Sequence, residues 1–507
     1  MRRAQFHGSP SKTSHGACFG MVALPVFMVL SPRSSLALGQ VETTTAATEQ
    51  EEEEEIAEAP AAEGAETPTT IPDADAPPPG PSNRGLGSPG YAPTGTPASA
   101  SGYVNLRTRS RWAVDHDEDD QDIFAVVAAD VYTGGEDSWG FHFMGRAQFG
   151  LNPQEPNSIF YGVQDTYSDS MMADIYHLYV DVPVSGALDV LRAGRMVIYQ
   201  TPRSAYFDGV QLETTTDGPV EWSFGGYAGN SVHLYEGWPS DEWMGGLYTS
   251  FRPWEDGKLR VDWMRLDDDV RTDERVIDLV SFDLDHRFTR NLSVDAEFTL
   301  LNGSRNDARL SGFWALPEQD MTIRASIFRL LKAQTDFAYE LNPYYNDLRT
   351  YEPYNQGQFV ISKTFNDKWQ LYGGLDARRV ENQADIGAYN RDFDRYYLTA
   401  AALNLLPLQT TVSVTSDFWD SPDNDQQTWG LDFTSELSEV SKASIGSYYS
   451  LYKYYLDSNA EREDVRTYYA EYKRDISDST RAMVRYEYED EDLDTFHNLR
   501  LGLSWRF

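Results

Sequence analysis

Cysteine is nearly absent: Cys18 is the single one in 507 residues. That excludes a disulfide framework, a cysteine-built zinc site and, since no Cys-x-x-Cys-His occurs, haem covalently attached to this chain. Bases are scarce as well, 42 Lys and Arg against 80 Asp and Glu, for a net charge of −38. A polyphosphate backbone would be repelled by such a surface, so no nucleic-acid partner is expected. Long apolar runs are also missing. Mean hydropathy is −0.53, and the one sustained apolar stretch, Cys18 to Leu30, is shorter than the roughly 20 residues of a spanning helix and is interrupted by Pro25. The eight histidines are scattered, none at metal-ligand spacing, and no nucleophile elbow or phosphate loop occurs. Catalytic residues, metal ligands and cofactors are therefore not expected, and the chain does not read as an enzyme.

Aromatic residues are plentiful. Tyr, Phe and Trp make 13% of the chain, high for a soluble acidic protein. Low hydropathy with many aromatics suits strands that alternate polar and apolar residues, in a soluble sheet or in a membrane barrel.

Three regions differ in composition. In residues 1–39, Arg2, Arg3 and Lys12 precede the apolar run, and Ala37-Leu38-Gly39 follows as a small-x-small pattern. This predicts a cleaved secretory signal peptide; a buried core helix would need amphipathic neighbours, and there are none. Cys18 lacks a lipoprotein box. Residues 40–100 carry Glu51 to Glu55 in a row among Ala, Pro, Thr and Gly, with almost no aromatic side chain. With no apolar surface to offset chain entropy, this segment is expected to be a disordered acidic periplasmic spacer.

From residue 101 to 507 the period becomes two. Leu499, Leu501, Leu503, Trp505 and Phe507 alternate with Asn498, Arg500, Gly502, Ser504 and Arg506. Phe141, Phe143, Ala147 and Phe149 oppose His142, Met144, Arg146 and Gln148, and Leu292, Val294, Ala296 and Phe298 oppose Ser293, Asp295 and Glu297. One face is apolar and the other polar. Short Gly/Asp/Ser turns, such as Gly134-Gly135-Glu136-Asp137, Glu255-Asp256-Gly257 and Ser477-Asp478, fall between longer polar loops. A soluble β-sandwich would share the alternation but not this asymmetry.

With that asymmetry and the aromatic end of the last amphipathic strand, Leu499 to Phe507, the sequence resembles bacterial outer-membrane β-barrel proteins. The resemblance implies a plugless, porin-like all-β transmembrane barrel, antiparallel and up-and-down. Counting predicts about 22 strands, or 18 to 20 if weak segments such as 305–316 fail. It further implies that Phe507 is an assembly signal for the barrel-assembly machinery, that both termini are periplasmic, and that the partners are outer-membrane lipid and lipopolysaccharide. Residues 40–100 are too few and too polar for a folded plug.

Charges of inward parity are expected to line the pore: Arg146, Asp181, Arg260, Asp262, Asp295, Glu297, Asp432, Arg485, Glu487, Arg500 and Arg506. On the lipid face each would cost about 2–4 kcal/mol near the midplane. Acidic clusters at Asp117, Glu118, Asp119 and Asp120, at Asp267, Asp268 and Asp269, and at Glu489, Asp490, Glu491 and Asp492 are expected in loops of the outer mouth. There they would attract cations or form a solvated rim. Asp115, Asp117 and Asp119 are spaced like the start of a calcium loop but lack its glycine. Two long loops, 153–173 and 334–356, interrupt the pattern. The second carries Phe337, Tyr339, Tyr344, Tyr345, Tyr351 and Tyr354, which would serve either for sugar stacking or for interfacial anchoring. Ala193-Gly194-Arg195 with Phe207-Asp208-Gly209-Val210 resembles hairpins of porin-like and alginate-export-like barrels. Parity slips at Leu191-Arg192, leaving open which arginine faces inward.

The leading expectation is a channel for passive passage of small hydrophilic solutes, preferring cations. The alternatives are a sheath around a partner such as a periplasmic multihaem cytochrome, forming an electron conduit, and a structural surface protein.

Overall fold

The computed structural model describes residues 97–507 except 136–137, 153, 155–157, 162–170, 185–187, 199–201, 203, 217–219, 233–241, 269–274, 334–351, 383–390, 422–425, 456–459 and 491–493. Residues 1–39 and nearly all of 40–100 lie outside the described residues, as do the aromatic residues at 337, 339, 344, 345 and 351.

Twenty-two strands follow one another in chain order: β1 (Ser99–Ala113), β2 (Glu118–Tyr132), β3 (Gly140–Gly150), β4 (Met171–Asp181), β5 (Val190–Ile198), β6 (Ala205–Thr216), β7 (Trp222–Ser231) and β8 (Trp243–Trp254). Then come β9 (Gly257–Asp268), β10 (Arg275–Thr289), β11 (Leu292–Leu301), β12 (Ser304–Leu316), β13 (Met321–Leu330), β14 (Tyr354–Phe365), β15 (Trp369–Val380) and β16 (Phe393–Leu406). The last six are β17 (Thr410–Asp420), β18 (Gln426–Ser438), β19 (Ser441–Tyr455), β20 (Ala460–Ser477), β21 (Thr480–Asp490) and β22 (Thr495–Arg506). Each pairs antiparallel with its neighbours, and β1 pairs with β22 from Tyr103–Arg506 to Ala113–Phe496, which closes the barrel. Closure leaves no unpaired sheet edge.

Side chains diverge on the outer face and crowd on the inner one. Leu178 and Leu247 on the outer face are 54% and 61% exposed, whereas Asp262 and Met264 on the inner face are 1% and 0% exposed. The outer face carries the apolar rows, with tryptophans at both ends. Trp243 and Trp254 bracket β8, eleven steps apart. At about 3.3 Å per step and a tilt of roughly 40° this spans about 28 Å, close to the apolar band of a membrane barrel. Twenty-two strands about 4.8 Å apart at that tilt close a ring roughly 44 Å across between backbones.

The strand count and alternation agree with the sequence reading; the loop asymmetry needs one correction. On the end away from the termini, β11 and β12 join through Asn302-Gly303 alone, both with positive φ (49° and 74°). Asn-Gly accepts this left-handed pair at little cost, so a tight hairpin forms where a longer loop was expected.

Candidate functional site: the lumen wall and its outer mouth

All eleven inward-parity charges stand on the inner face: Arg146 on β3, Asp181 on β4, Arg260 and Asp262 on β9, Asp295 and Glu297 on β11. Asp432 on β18, Arg485 and Glu487 on β21, and Arg500 and Arg506 on β22 complete the set. Most of the arginines are neutralised in place. Arg146 Nε lies 2.7 Å from Asp174, Arg260 binds Asp262 through Nε and Nη2 at 2.7 and 2.6 Å, and Arg485 Nε lies 2.8 Å from Glu487. Two further pairs, Arg109–Asp122 at 2.6 Å and Arg395–Asp417 at 2.5 Å, follow the same rule.

Three of these pairs share a layered construction that the sequence reading missed. A glycine leaves room on the wall, a cross-strand tyrosine ring lies flat over it, and an arginine stacks on the ring and is held by a carboxylate. Tyr248 covers Gly225, with the Arg260 guanidinium 4.5 Å above the ring. Tyr397 covers Gly374 beneath Arg395, 5.0 Å from the ring, and Tyr469 covers Gly446 beneath Arg485 at 4.5 Å. Aromatic cover protects backbone that glycine would expose, and cation–π contact with the carboxylate fixes the guanidinium. Long side chains are thereby pressed against the wall instead of reaching across the lumen.

On β10 and β11 acids outnumber bases. Asp283 faces Glu297 and Asp285 faces Asp295 in register on the inner face. The nearby bases are Arg260, in register with Asp283 and held by Asp262, Lys258, in register with Asp285, and Arg309, 3.7 Å from Glu297.

At the end away from the termini the acids do structural work, which corrects their placement in loops. Only Asp117 lies in the β1–β2 turn; Glu118, Asp119 and Asp120 open β2, because strands here extend past the apolar band. Asp120 is 4% exposed and paired with Arg111 at 2.5 Å. Asp119 accepts from Asn152 and its carbonyl from Asn152 and Gln154, while Glu118 accepts from Ser158 Oγ at 2.8 Å and Ile159 N at 2.9 Å. The β3–β4 connection is thus hung over the top of β2. Its Phe160 is buried, with Arg111 4.8 Å over the ring and Phe496 of β22 edge-on. Asp267 and Asp268 end β9 and Glu489 and Asp490 end β21, again in strands; Asp269, Glu491 and Asp492 lie outside the described residues.

A second tie crosses the seam between first and last strands. Asp494 accepts from the Asp115 backbone N–H at 2.9 Å and from His116 Nδ1 at 2.6 Å. That hydrogen bond holds the His116 imidazole above its ordinary pKa, helped by the nearby Glu118 and Asp115 charges. Burial works against ionisation of Asp494, but the Asp115 and Thr495 N–H groups and His116 outweigh it and keep the carboxyl below its usual range.

Near the end that holds the termini, His142 stands between Asp130 (Nδ1, 2.6 Å) and Asp181 (Nε2, 3.1 Å), stacked 4.5 Å from Tyr179. Asp181 also receives Arg192 Nε at 2.7 Å. Arg192 is therefore the inward arginine, whereas Arg195 points outward beside Asp208. Gly194 between them has φ +127°.

Polarity inverts in the part of β5–β11 away from the termini. Met196, Phe207, Met244, Met264, Leu266, Ile277, Leu279 and Leu301 form a buried apolar cluster on the inner face, while Arg195, Asp208, Arg265 and Asp278 occupy the outer one. Among the described residues no group of three His, Cys, Asp or Glu side chains is arranged to hold a metal ion.

No family model matches the sequence, and no curated protein matches it. Solved structures do align over most of this chain. The P pilus usher (PapC) translocation pore aligns at 11% identity and a TM-score of 0.46, covering 81% of this chain and 99% of that one. Pseudomonas aeruginosa OccD3 (OpdP) aligns at 9% and 0.37 over 82% and 92%. The outer membrane protein opdK of Pseudomonas aeruginosa aligns at 12% and 0.36 over 81% and 99%.

Proposed function

We propose that this chain is a bacterial outer-membrane channel for passive passage of small hydrophilic solutes, preferring cations. The observation that carries the reading is the layered wall. A ring of 22 strands is too wide for its own side chains to fill, and the Gly–Tyr–Arg–carboxylate stacks keep those side chains flat, so a polar lumen stays open. The apolar outer rows with tryptophan at both ends support a membrane setting. The termini share one end of the barrel, which the proposal makes periplasmic. Because most wall arginines are paired, the excess carboxylates of β10 and β11 dominate the lumen potential and support a cation bias. The test is swelling of liposomes carrying purified protein in isotonic arabinose, then in oligosaccharides of rising size. Rapid swelling in arabinose that fades with solute size agrees with the proposal; no swelling in any sugar contradicts it.

A further inference from the structure

On the inner face of β21, β22 and β1 the charged side chains nearest the termini are all basic. Arg485, Arg500 and Arg109 stand in register across the three strands. Between that row and the end that holds the termini lie Arg481, Arg107 and Arg506, among Met483, Gly502, Ser504, Asn105 and Tyr103. The acids stand at the margins of this strip. Asp122 on β2 holds Arg109 at 2.6 Å, and Asp475 on β20 holds Arg481 at 2.6 Å. Glu487, one row higher, lies 2.8 Å from Arg485 and 3.4 Å from Arg500, and Glu471 on β20 lies 3.6 Å from Arg485. Arg107 and Arg506 are exposed, and neither has an ion-pair partner among the described residues. The strip is therefore left positive, half the ring away from the acids of β10 and β11.

One strand of the strip, β1, is also where the acidic segment joins the barrel, at Ser99. Residues 40–98 carry twelve acids and one base, Arg84, with Glu51 to Glu55 consecutive. From Glu55 to Ser99 the chain runs 44 residues, and an unstructured chain of that length spans about 35 Å between its ends. Arg109 lies ten residues along β1 from Ser99. At about 3.3 Å per step and a tilt of roughly 40° its row stands about 25 Å up the wall. The glutamate run therefore reaches the whole strip. Tethering holds it there at an effective concentration on the order of millimolar, enough to keep a weak charge contact occupied.

We infer that the arginine strip is a docking track for the chain's own acidic segment, with Glu51 to Glu55 lying inside the lumen along Arg506, Arg107 and the Arg500 row. Carboxylates of the segment give Arg107 and Arg506 the partners that the wall does not supply. The acids of β10 and β11 repel the same run, so it keeps to one side of the lumen. Docked there, the segment narrows the aqueous path at the end that holds the termini and adds five carboxylates to its lining. This goes beyond the proposed channel, whose conduction requires neither the segment nor its docking.

The test places the photoactivatable residue p-benzoylphenylalanine at position 56, in place of Ile56 and beside the intact glutamate run, in the full chain in liposomes. Adducts are mapped after illumination in about 0.1 M and about 1 M KCl, where the Debye length is about 10 Å and about 3 Å. Adducts on inner residues of the strip, such as Met483, Ser504 and Asn105, that fall severalfold at the higher salt support the docking. They should fall likewise in the double variant Arg107→Gln, Arg506→Gln, and in a chain with Glu51 to Glu55 all changed to Gln. The second variant alters no barrel residue, so its loss of adducts is not a folding defect. No adducts in the barrel interior, or interior adducts unchanged by salt and by both variants, overturn the inference. KCl conductance recorded on the same proteins tests the channel separately: current without interior adducts refutes the docking alone.

Discussion

Phe507 and Gly102 exchange both backbone hydrogen bonds, at 3.0 and 3.1 Å, and a side chain on Gly102 would strike both the Ala128 carbonyl oxygen, 2.3 Å from a Cβ placed there, and the Phe507 ring, whose Cζ would lie 2.6 Å away. The seam between first and last strands thus ends where a glycine leaves room for the Phe507 ring. Deleting Phe507, or replacing Gly102 with Val so that the ring is displaced, should lower the fraction of protein that runs as a heat-modifiable barrel in membrane extracts. Phe507→Tyr should be tolerated. Normal yields from both damaging variants would separate this joint from assembly.

The other end of the seam should respond to pH. The raised pKa of His116 means that its tie to Asp494 is fully present below the imidazole's unfolded value and lost as pH rises through the folded one. The lowered pKa of Asp494 means that its share is present above the unfolded carboxyl value and lost as pH falls through the folded one. The difference in melting temperature between the native chain and His116→Ala should accordingly be greatest at mildly acidic to neutral pH and shrink on both sides. A difference independent of pH would contradict a charged tie.

Phe160 anchors the β3–β4 connection at the mouth. Phe160→Ala removes a buried ring, which in protein interiors costs about 3–5 kcal/mol, and it removes the contact with Arg111 as well. Single-channel records should show larger or noisier currents, and Glu118→Gln should reproduce part of the effect by weakening the bonds to Ser158 and Ile159. Unchanged conductance in both variants would show that this connection does not narrow the path.

The layered wall predicts the effect of filling one of its glycines. Gly446→Leu should expel the Tyr469 ring and with it Arg485, placing a long cation in the lumen. Conductance should fall and cation preference weaken, while Tyr469→Ala should alter selectivity without the same block. Wild-type conductance in Gly446→Leu would mean that the ring is not fixed by the glycine.

Much of this was legible in the sequence, because a membrane barrel writes its two faces alternately along each strand. The Leu499 to Phe507 alternation reappears as one paired strand, β22, and the pore-lining role of the eleven charges stays an expectation drawn from parity. Parity left Leu191-Arg192 open although β5 alternates regularly, because polarity inverts there: apolar Met196 and Ile198 share the inner row with Arg192, and Arg195 stands on the outer one. The acidic clusters misled because carboxylates at strand ends look like those in loops; Asp120 is a buried partner of Arg111, a relation across two strands that no local pattern carries. Phe160 was hidden for the same reason. Glycines such as Gly225 and Gly446 read as weak points in strands, whereas the tyrosines that cover them come from neighbouring strands. The apolar inner cluster left a trace in β9, where Met264 and Leu266 break the polar row set by Arg260 and Asp262.

The most direct measurement is the reversal potential of purified protein in a planar bilayer under a KCl gradient. The account predicts stepwise conductance with cation preference that weakens as salt rises, because the Debye length shortens from about 10 Å at 0.1 M to about 3 Å at 1 M. Replacing Asp283, Asp285, Asp295 and Glu297 together by their amides should reduce that preference more than replacing Asp117. Anion selectivity would contradict the wall electrostatics described here, and a barrel that inserts but passes no current would contradict the channel itself.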